Sequence, residues 1–260
     1  MATKINKRRI LVTGGAGFIG RHVMQQLGER GISFDIASSH LWDINDPLIL
    51  DAVLQTVKPI GIIHLAAISN KEDVDSNPEL ALETNVGGTL NVLQAAKRHR
   101  IKVVVASSAA TEEPQLSLYG TSKKCMDYIA LLFKNVVIAR LYNVYGPGSK
   151  SVVNKFVERI KERKTIKLNG NTVRDYIYVD DVASALISLI DQDGFDKVVP
   201  VGTGRGVTLN KLVSIIEKEL NMDAKVIRGS AIKEIQESCC VNVAYNFYKT
   251  TLEQGIKNLL

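Results

Sequence analysis

Tyr119 and Lys123 stand four residues apart in the stretch LYGTSKK, Leu118–Lys124. On a helix that spacing puts both side chains on one face. A tyrosine with its ordinary pKa of about 10 is a poor base at neutral pH. An ammonium held beside it favours the phenolate and lowers that pKa. Such a pair can take a proton from a hydroxyl as hydride leaves the same carbon, and return it in the reverse direction. The same spacing also suits an exposed pair at an ordinary helix start, so the surrounding elements decide. Ser107 and Ser108 close the apolar run VVVASS. A hydroxyl at a strand end is placed to hold a developing alkoxide or carbonyl oxygen, and either serine could fill that role.

Hydride chemistry needs an acceptor, and LVTGGAGFIG offers a place for one. Gly14, Gly17 and Gly20 follow the strand-like RRILVTG and open the helical pattern FIGRHVMQQLGERG; the string also reads as Gly15, Gly17 and Gly20. Glycines at these positions let the backbone turn tightly and approach a pyrophosphate, which meets the free N–H groups at the helix start. In many such folds an acid ending the second strand holds the ribose hydroxyls. Ser38 and Ser39 are expected at that place in DIASSH, with Asp35 three residues too early on the strand. No Arg or Lys in that stretch grips a 2′-phosphate, so NAD and NADP both stand as cofactor candidates.

Apolar β-branched runs alternate with helical patterns through NVVIARLYNVYG. This implies parallel βαβ units with right-handed crossovers in an α/β fold, a Rossmann-type doubly wound sheet. Strands are expected at SFDIASS, IGIIHLAA and IKVVVASS, and a long helix at PELALETNVGGTLNVLQAAKRHR. After Gly146 the pattern loosens, and the helix DDVASALISLID is expected to be capped by Asp180 or Asp181. The dinucleotide-binding domain is thus expected over residues 1–146, with late elements from about 174–204 returning to it. Residues 147–260 are expected to be mainly a small, interleaved C-terminal substrate lobe.

The 260-residue chain has 33 basic and 27 acidic residues, a net charge of +6. The bases lie among acids, as in VERIKERKTIK, which is a solvated face and not a nucleic-acid surface. Mild positive charge suits an anionic small substrate. The three cysteines, Cys125, Cys239 and Cys240, and the four scattered histidines lack metal-ligand spacing, so no metal site is expected. Sparse, odd cysteine usage suits a reducing compartment. No apolar run approaches membrane-spanning length, and a cytoplasmic protein is expected.

TGGAGFIG, HLAA, TNVGGTLNVLQAA, VVVASSAA, YGTSK, RLYNVYGPG and RDYIYVDDV occur in that order across nearly the whole chain. Together they resemble the extended short-chain dehydrogenase/reductases acting on nucleotide sugars, the NAD-dependent epimerase/dehydratase family. The resemblance implies Tyr119 as acid/base, Lys123 as its partner and Ser108 as the polarising hydroxyl, with Ser108 preferred over Ser107 on the SSAA match. It implies a cofactor site of Gly14, Gly17, Phe18, Ile19, Gly20, Ser38, Asp43, Ile44, Leu65, Ala66, Ala67, Asn85, Tyr119 and Lys123, where Asp43 and Ile44 flank the adenine. It implies substrate contacts from Ser108, Asn143, Arg174 and Arg228, the arginines meeting a diphosphate. It also implies a homodimer formed by two long helices.

The segment AATEEPQLSL between Ser108 and Tyr119 is shorter than in relatives, where a longer loop covers substrate. Ala109 and Ala110 replace the Asp–Glu pair of the 4,6-dehydratases, and Ala109 replaces the cysteine of enzymes that epimerise at C3 and C5. The resemblance therefore implies redox at one carbon. The first expectation is a 4-epimerase working through a transient 4-keto sugar. The alternatives are an NAD(P)H-dependent keto-sugar reductase and, from another class, a non-catalytic NAD(P)-binding regulator.

Overall fold

The computed structural model describes residues 8–113, 117–168, 172–229, 237–238 and 245–260. Cys239, Cys240 and residues 114–116 of the short segment before Tyr119 lie outside these described residues.

Short apolar runs form strands buried on both faces, as a sheet covered by helices requires. β1 (Ile10–Thr13), β2 (Gly31–Phe34), β3 (Gly61–His64), β4 (Lys102–Ser108) and β5 (Val136–Leu141) share one six-stranded sheet with a later strand, Val198–Val201. The order is β2-β1-β3-β4-β5 and then the later strand. β1 runs parallel to β2 and β3, and β3 parallel to β4. Winding reverses between β1 and β3, and ligands of open α/β sheets bind at the carboxyl ends beside such a switch point. Thr13, His64 and Ser108 are the last residues of β1, β3 and β4.

The connecting helices are α1 (Phe18–Leu27), α2 (Pro47–Val57), α3 (Lys71–Ser76), α4 (Pro78–Leu82), α5 (Thr89–His99) and α6 (Leu118–Leu131). The long helix expected from Pro78 is interrupted. Glu83–Gly88 form a π-helical turn between α4 and α5, at the two glycines of TNVGG. Such turns often mark functional positions, and Asn85 lies in this one. β2 is also shorter than expected, stopping at Phe34 instead of running on to Ser39. Asp35 turns the chain there, accepting from the Ala37 amide at 2.8 Å while its carbonyl receives the Ser38 amide.

By contacts the chain divides into residues up to Arg140 with Ala183–Val199, and Leu141–Val182 with Pro200–Leu260. Leu11, Phe34, Leu50, Ile62, Val103 and Ile138 belong to the core of the first unit. The later elements are β6 (Asn143–Tyr145), α7 (Val152–Lys161), β7 (Ile166–Leu168), β8 (Val173–Tyr178), α8 (Val179–Asp191), β9 (Val198–Val201), β10 (Gly206–Thr208), α9 (Leu209–Leu220), β11 (Val226–Arg228), β12 (Glu237–Ser238) and α10 (Leu252–Lys257). β8 pairs with β6, β10 and β12, and β7 pairs with β11. In the second unit Tyr145, Phe156, Ile166, Leu212 and Ile256 pack together. Asp181 stands in the first turn of α8, but its carboxylate accepts from the Lys249 and Thr250 amides. It ties down the approach to α10 and is not the helix cap expected from sequence.

A Cβ at Gly20 would lie 2.1 Å from the Gly14 carbonyl oxygen and 2.7 Å from Gly15 Cα. Backbone cannot step aside as a flexible side chain does. Gly20→Ala should therefore cost about 1–3 kcal/mol, read as a lowered midpoint in thermal denaturation. Gly87→Ala, with no atom within 4 Å of the added carbon, should leave the midpoint unchanged or raise it.

Candidate active site

Gly14 turns the chain out of β1 at φ +71°, and its amide donates to the Phe34 carbonyl at 3.1 Å. A Cβ there would stand 2.7 Å from the Ala66 nitrogen, just past β3. Gly17 is the N-cap of α1 and brings no capping side chain, so the first-turn N–H groups are left to meet an anion. Phe18 and Ile19 begin the helix, and Phe18 packs edge-on against His22. Leu65 and Ala66 stand close against Gly14, and bare backbone at Gly14, Gly17 and Gly20 is what the approach of a dinucleotide pyrophosphate needs.

Asp35 stands elsewhere than the sequence pattern suggests. Because β2 ends at Phe34, Asp35 is the first residue beyond it, and its carboxylate accepts from the Ala16 amide of the glycine turn at 3.0 Å. This is where an acid can reach ribose hydroxyls. Ser38 falls instead in the exposed turn beyond, its Oγ 3.3 Å from that of Ser33. Asp43 accepts from the Asn45 amide, and Ile44 is buried in the core, its carbonyl receiving Asn91.

Ser117 caps α6 by accepting from the Gly120 amide, which fixes Tyr119 in the first turn. Tyr119 lies near Ser108, whose hydroxyl favours the phenolate, while Ser108 Oγ accepts from the Ala110 amide at 3.2 Å. Side chains alternate along β4, so Ser107 takes the other face; it is buried, and its Oγ has no partner among the described residues. Lys123 is buried one turn further along and donates from Nζ to the Ala106 carbonyl at 3.1 Å. Burial draws its pKa down to about 8, against the opposing pull of Asp127. Burial pushes the Tyr119 phenol above its ordinary value; the nearby Ser108 hydroxyl works against this and the Glu113 charge adds to it. The expected lowering of Tyr119 by Lys123 is thus not seen: burial sets the direction of the shift, and Lys123 is not among its causes.

Asn85 is fully buried and holds two elements. Its amide accepts from the Ile68 nitrogen at 2.7 Å, and donates to the Ile68 carbonyl and to Ser122 Oγ at 3.0 and 3.1 Å. Ser122 donates in turn to the Tyr119 carbonyl. The sequence also gave no sign of a second support. Arg140, at the end of β5, bonds Asp127 at 3.0 Å and Glu112 at 2.7 Å. It pins the start of the abbreviated segment to the helix that carries Tyr119 and Lys123.

The second unit brings Asn143 and Arg174 together. Asn143 donates to the Asp175 carbonyl, and exposed Arg174 reaches Asn143 Oδ1 at 3.4 Å. The Asp175 carboxylate is buried and accepts from the Thr203 amide and hydroxyl and the Gly204 amide. Arg228 stands on β11 and lines a groove of about 290 Å³ with Leu168, Asn210 and Glu217. Among the described residues no cluster of His, Cys, Asp or Glu could hold a metal ion, and no helix is long and apolar enough to cross a membrane.

The model of the NAD-dependent epimerase/dehydratase family matches residues 10–202. A GDP-6-deoxy-D-talose 4-dehydrogenase from Aggregatibacter actinomycetemcomitans is 28% identical over 292 residues, spanning 97% of this chain and 98% of that protein. A crystal structure of UDP-glucose 4-epimerase with UDP-glucose from Thermotoga maritima is similar at a TM-score of 0.81 and 27% identity, over 96% of this chain and 97% of the other. A Thermus thermophilus UDP-glucose 4-epimerase in complex with NAD gives a TM-score of 0.81 and 25% identity, over 96% of each chain.

Lys123 should titrate near 8 in NMR of its side-chain nitrogen. Asp127→Asn removes the carboxylate that favours the ammonium, so the value should fall further. A value that stays in place would show that Asp127 does not support Lys123.

Proposed function

The chain belongs to the NAD-dependent epimerase/dehydratase family, and from that premise we propose that it inverts a nucleotide sugar at C4 through a transient 4-keto sugar. The observation that carries this reading is Tyr119 set near Ser108 at the carboxyl end of β4, with Lys123 buried one turn away and donating to the Ala106 carbonyl. Bound NAD supplies the hydride acceptor and donor and, while oxidised, a positive charge over the site. Tyr119 takes the C4 hydroxyl proton and returns it to the keto oxygen. Ser108 donates to the same oxygen as its charge changes. Lys123 has three N–H donors, of which Ala106 takes one, and its charge favours the phenolate. Ala109 and Ala110 offer no acid for elimination of water.

The Asp35 carboxylate beside the glycine turn supports NAD over NADP, since a 2′-phosphate would meet like charge. The second unit serves in this reading as the substrate lobe, with Arg174 and Asn143 as contacts to the nucleotide sugar. A guanidinium fork suits a diphosphate. Exposed Leu82 on α4, Leu90 on α5, Tyr128 and Leu131 on α6 and Leu132 at its C-cap support a homodimer through these helices. The sparse cysteines support a cytoplasmic setting.

A second reading is favoured by the near full-length match to a 4-dehydrogenase: a keto-sugar reductase using the same residues and releasing oxidised cofactor each turn. Incubation with UDP-glucose and related nucleotide hexoses separates the two. The epimerase forms the C4 epimer with no net change in cofactor. The reductase consumes reduced cofactor in step with a 4-keto sugar. Tyr119→Phe should lower turnover by about 10²–10⁴-fold and leave NAD binding within about 10-fold, as one neutral hydrogen bond allows. Undiminished turnover would overturn the assignment. NAD should bind at least about 10-fold more tightly than NADP, and Asp35→Ala should narrow that gap, because the carboxylate repels a 2′-phosphate and like charges set together cost several kcal/mol.

A further inference from the structure

One buried titratable side chain takes no part in the chemistry above. His64 ends β3 at 1% exposure and lies opposite Thr13 in the β1–β3 register. Its Nδ1 is 2.7 Å from Thr13 Oγ1 and its Nε2 is 2.9 Å from Thr89 Oγ1. Thr89 donates to the Asn85 carbonyl. A carbonyl has no proton to give, so Thr89 Oγ1 can accept but not donate at His64. Nε2 therefore carries the ring proton. Burial, with the Lys123 charge adding to it, holds the imidazole pKa down to about 3, which leaves the ring neutral with Nδ1 as acceptor. Thr13 must then donate to Nδ1, and Thr13 Oγ1 accepts from the Ala66 amide at 3.4 Å.

The direction of every bond is fixed from the Ala66 amide through Thr13, His64 and Thr89 to the Asn85 carbonyl. One end is the glycine turn, where Ala66 limits the space at Gly14. The other end is Asn85, which bonds Ser122, which bonds the Tyr119 carbonyl. We propose that His64 is a positioning residue, a neutral Nε2–H link that holds the cofactor turn and the Tyr119 helix in one continuous hydrogen-bonded line. Its two nitrogens serve two different ends: Nδ1 the cofactor turn, Nε2 the catalytic helix.

The two ends separate experimentally. His64→Asn retains an acceptor near the place of Nδ1, and His64→Gln retains a donor near the place of Nε2. One lost hydrogen bond of about 1 kcal/mol corresponds to roughly a 5–10-fold effect. On that scale His64→Asn should keep NAD affinity within about 3-fold and lose about 10-fold in kcat, and His64→Gln should do the reverse. Loss of both properties in the same proportion in both variants would show a packing role and overturn the proposal. The kcat arm rests on the nucleotide-sugar reading, whereas NAD affinity does not. Wild-type turnover, measured first, tests that reading separately. Should neither variant fold, nitrogen-15 NMR of wild-type His64 decides. A neutral Nε2–H ring that does not titrate near its ordinary ~6.5 supports the proposal; an Nδ1–H ring, or one titrating there, overturns it.

Discussion

Burying the Lys123 ammonium against the Ala106 carbonyl, without giving up its charge at neutral pH, is the constraint around which the site is built. A buried amine left alone would deprotonate. Here a strand-end carbonyl accepts from it and Asp127 lies one turn along the same helix. Asp127 is itself buried, and Arg140 pairs with it from β5. Arg140 reaches on to Glu112, so the support for the lysine and the anchoring of the segment after Ser108 share one guanidinium. The trimmed loop is thereby made part of the electrostatic frame of the site.

What was legible in the sequence was local or periodic. Tyr119 and Lys123 are related by one helical turn, and the glycines by one strand–turn–helix unit, so spacing alone brings each set together. The doubly wound sheet followed from alternating apolar runs, and the parallel strand pairs observed agree with it. What escaped was set by tertiary contact or by where an element stops. Asp35 was read as lying inside a strand, because nothing local shows that β2 ends at Phe34. The interruption of the long helix at Glu83–Gly88 was written in its glycines but could equally have been absorbed by an α-helix. Arg140 and Asp127 are joined across the fold, and Asp181 is drawn away from a capping role by the backbone at Lys249 and Thr250. The effect of burial on Tyr119 could not be seen from spacing either.

The polar groups of the first unit's interior are arranged as bridges between the pieces that must move least. Asn85 spans from Ile68 to the Tyr119 helix, and His64 joins the ends of β1 and β3 to the π-helical turn. In a low-dielectric interior an unpaired polar atom is costly, so such lines are rigid once complete. The second unit uses buried carboxylates in the same way. Asp175 gathers the Thr203–Gly204 turn, and its carbonyl orients Asn143 beside Arg174.

In the proposed reaction, hydride leaves C4 of a nucleotide sugar and returns to the same carbon while Tyr119 handles the proton. A nucleotide hexose carrying deuterium at C4 tests it directly. The epimeric product should retain the deuterium at C4, with no hydrogen taken up from solvent. Loss of the label to water, or a product inverted at another carbon, would contradict it.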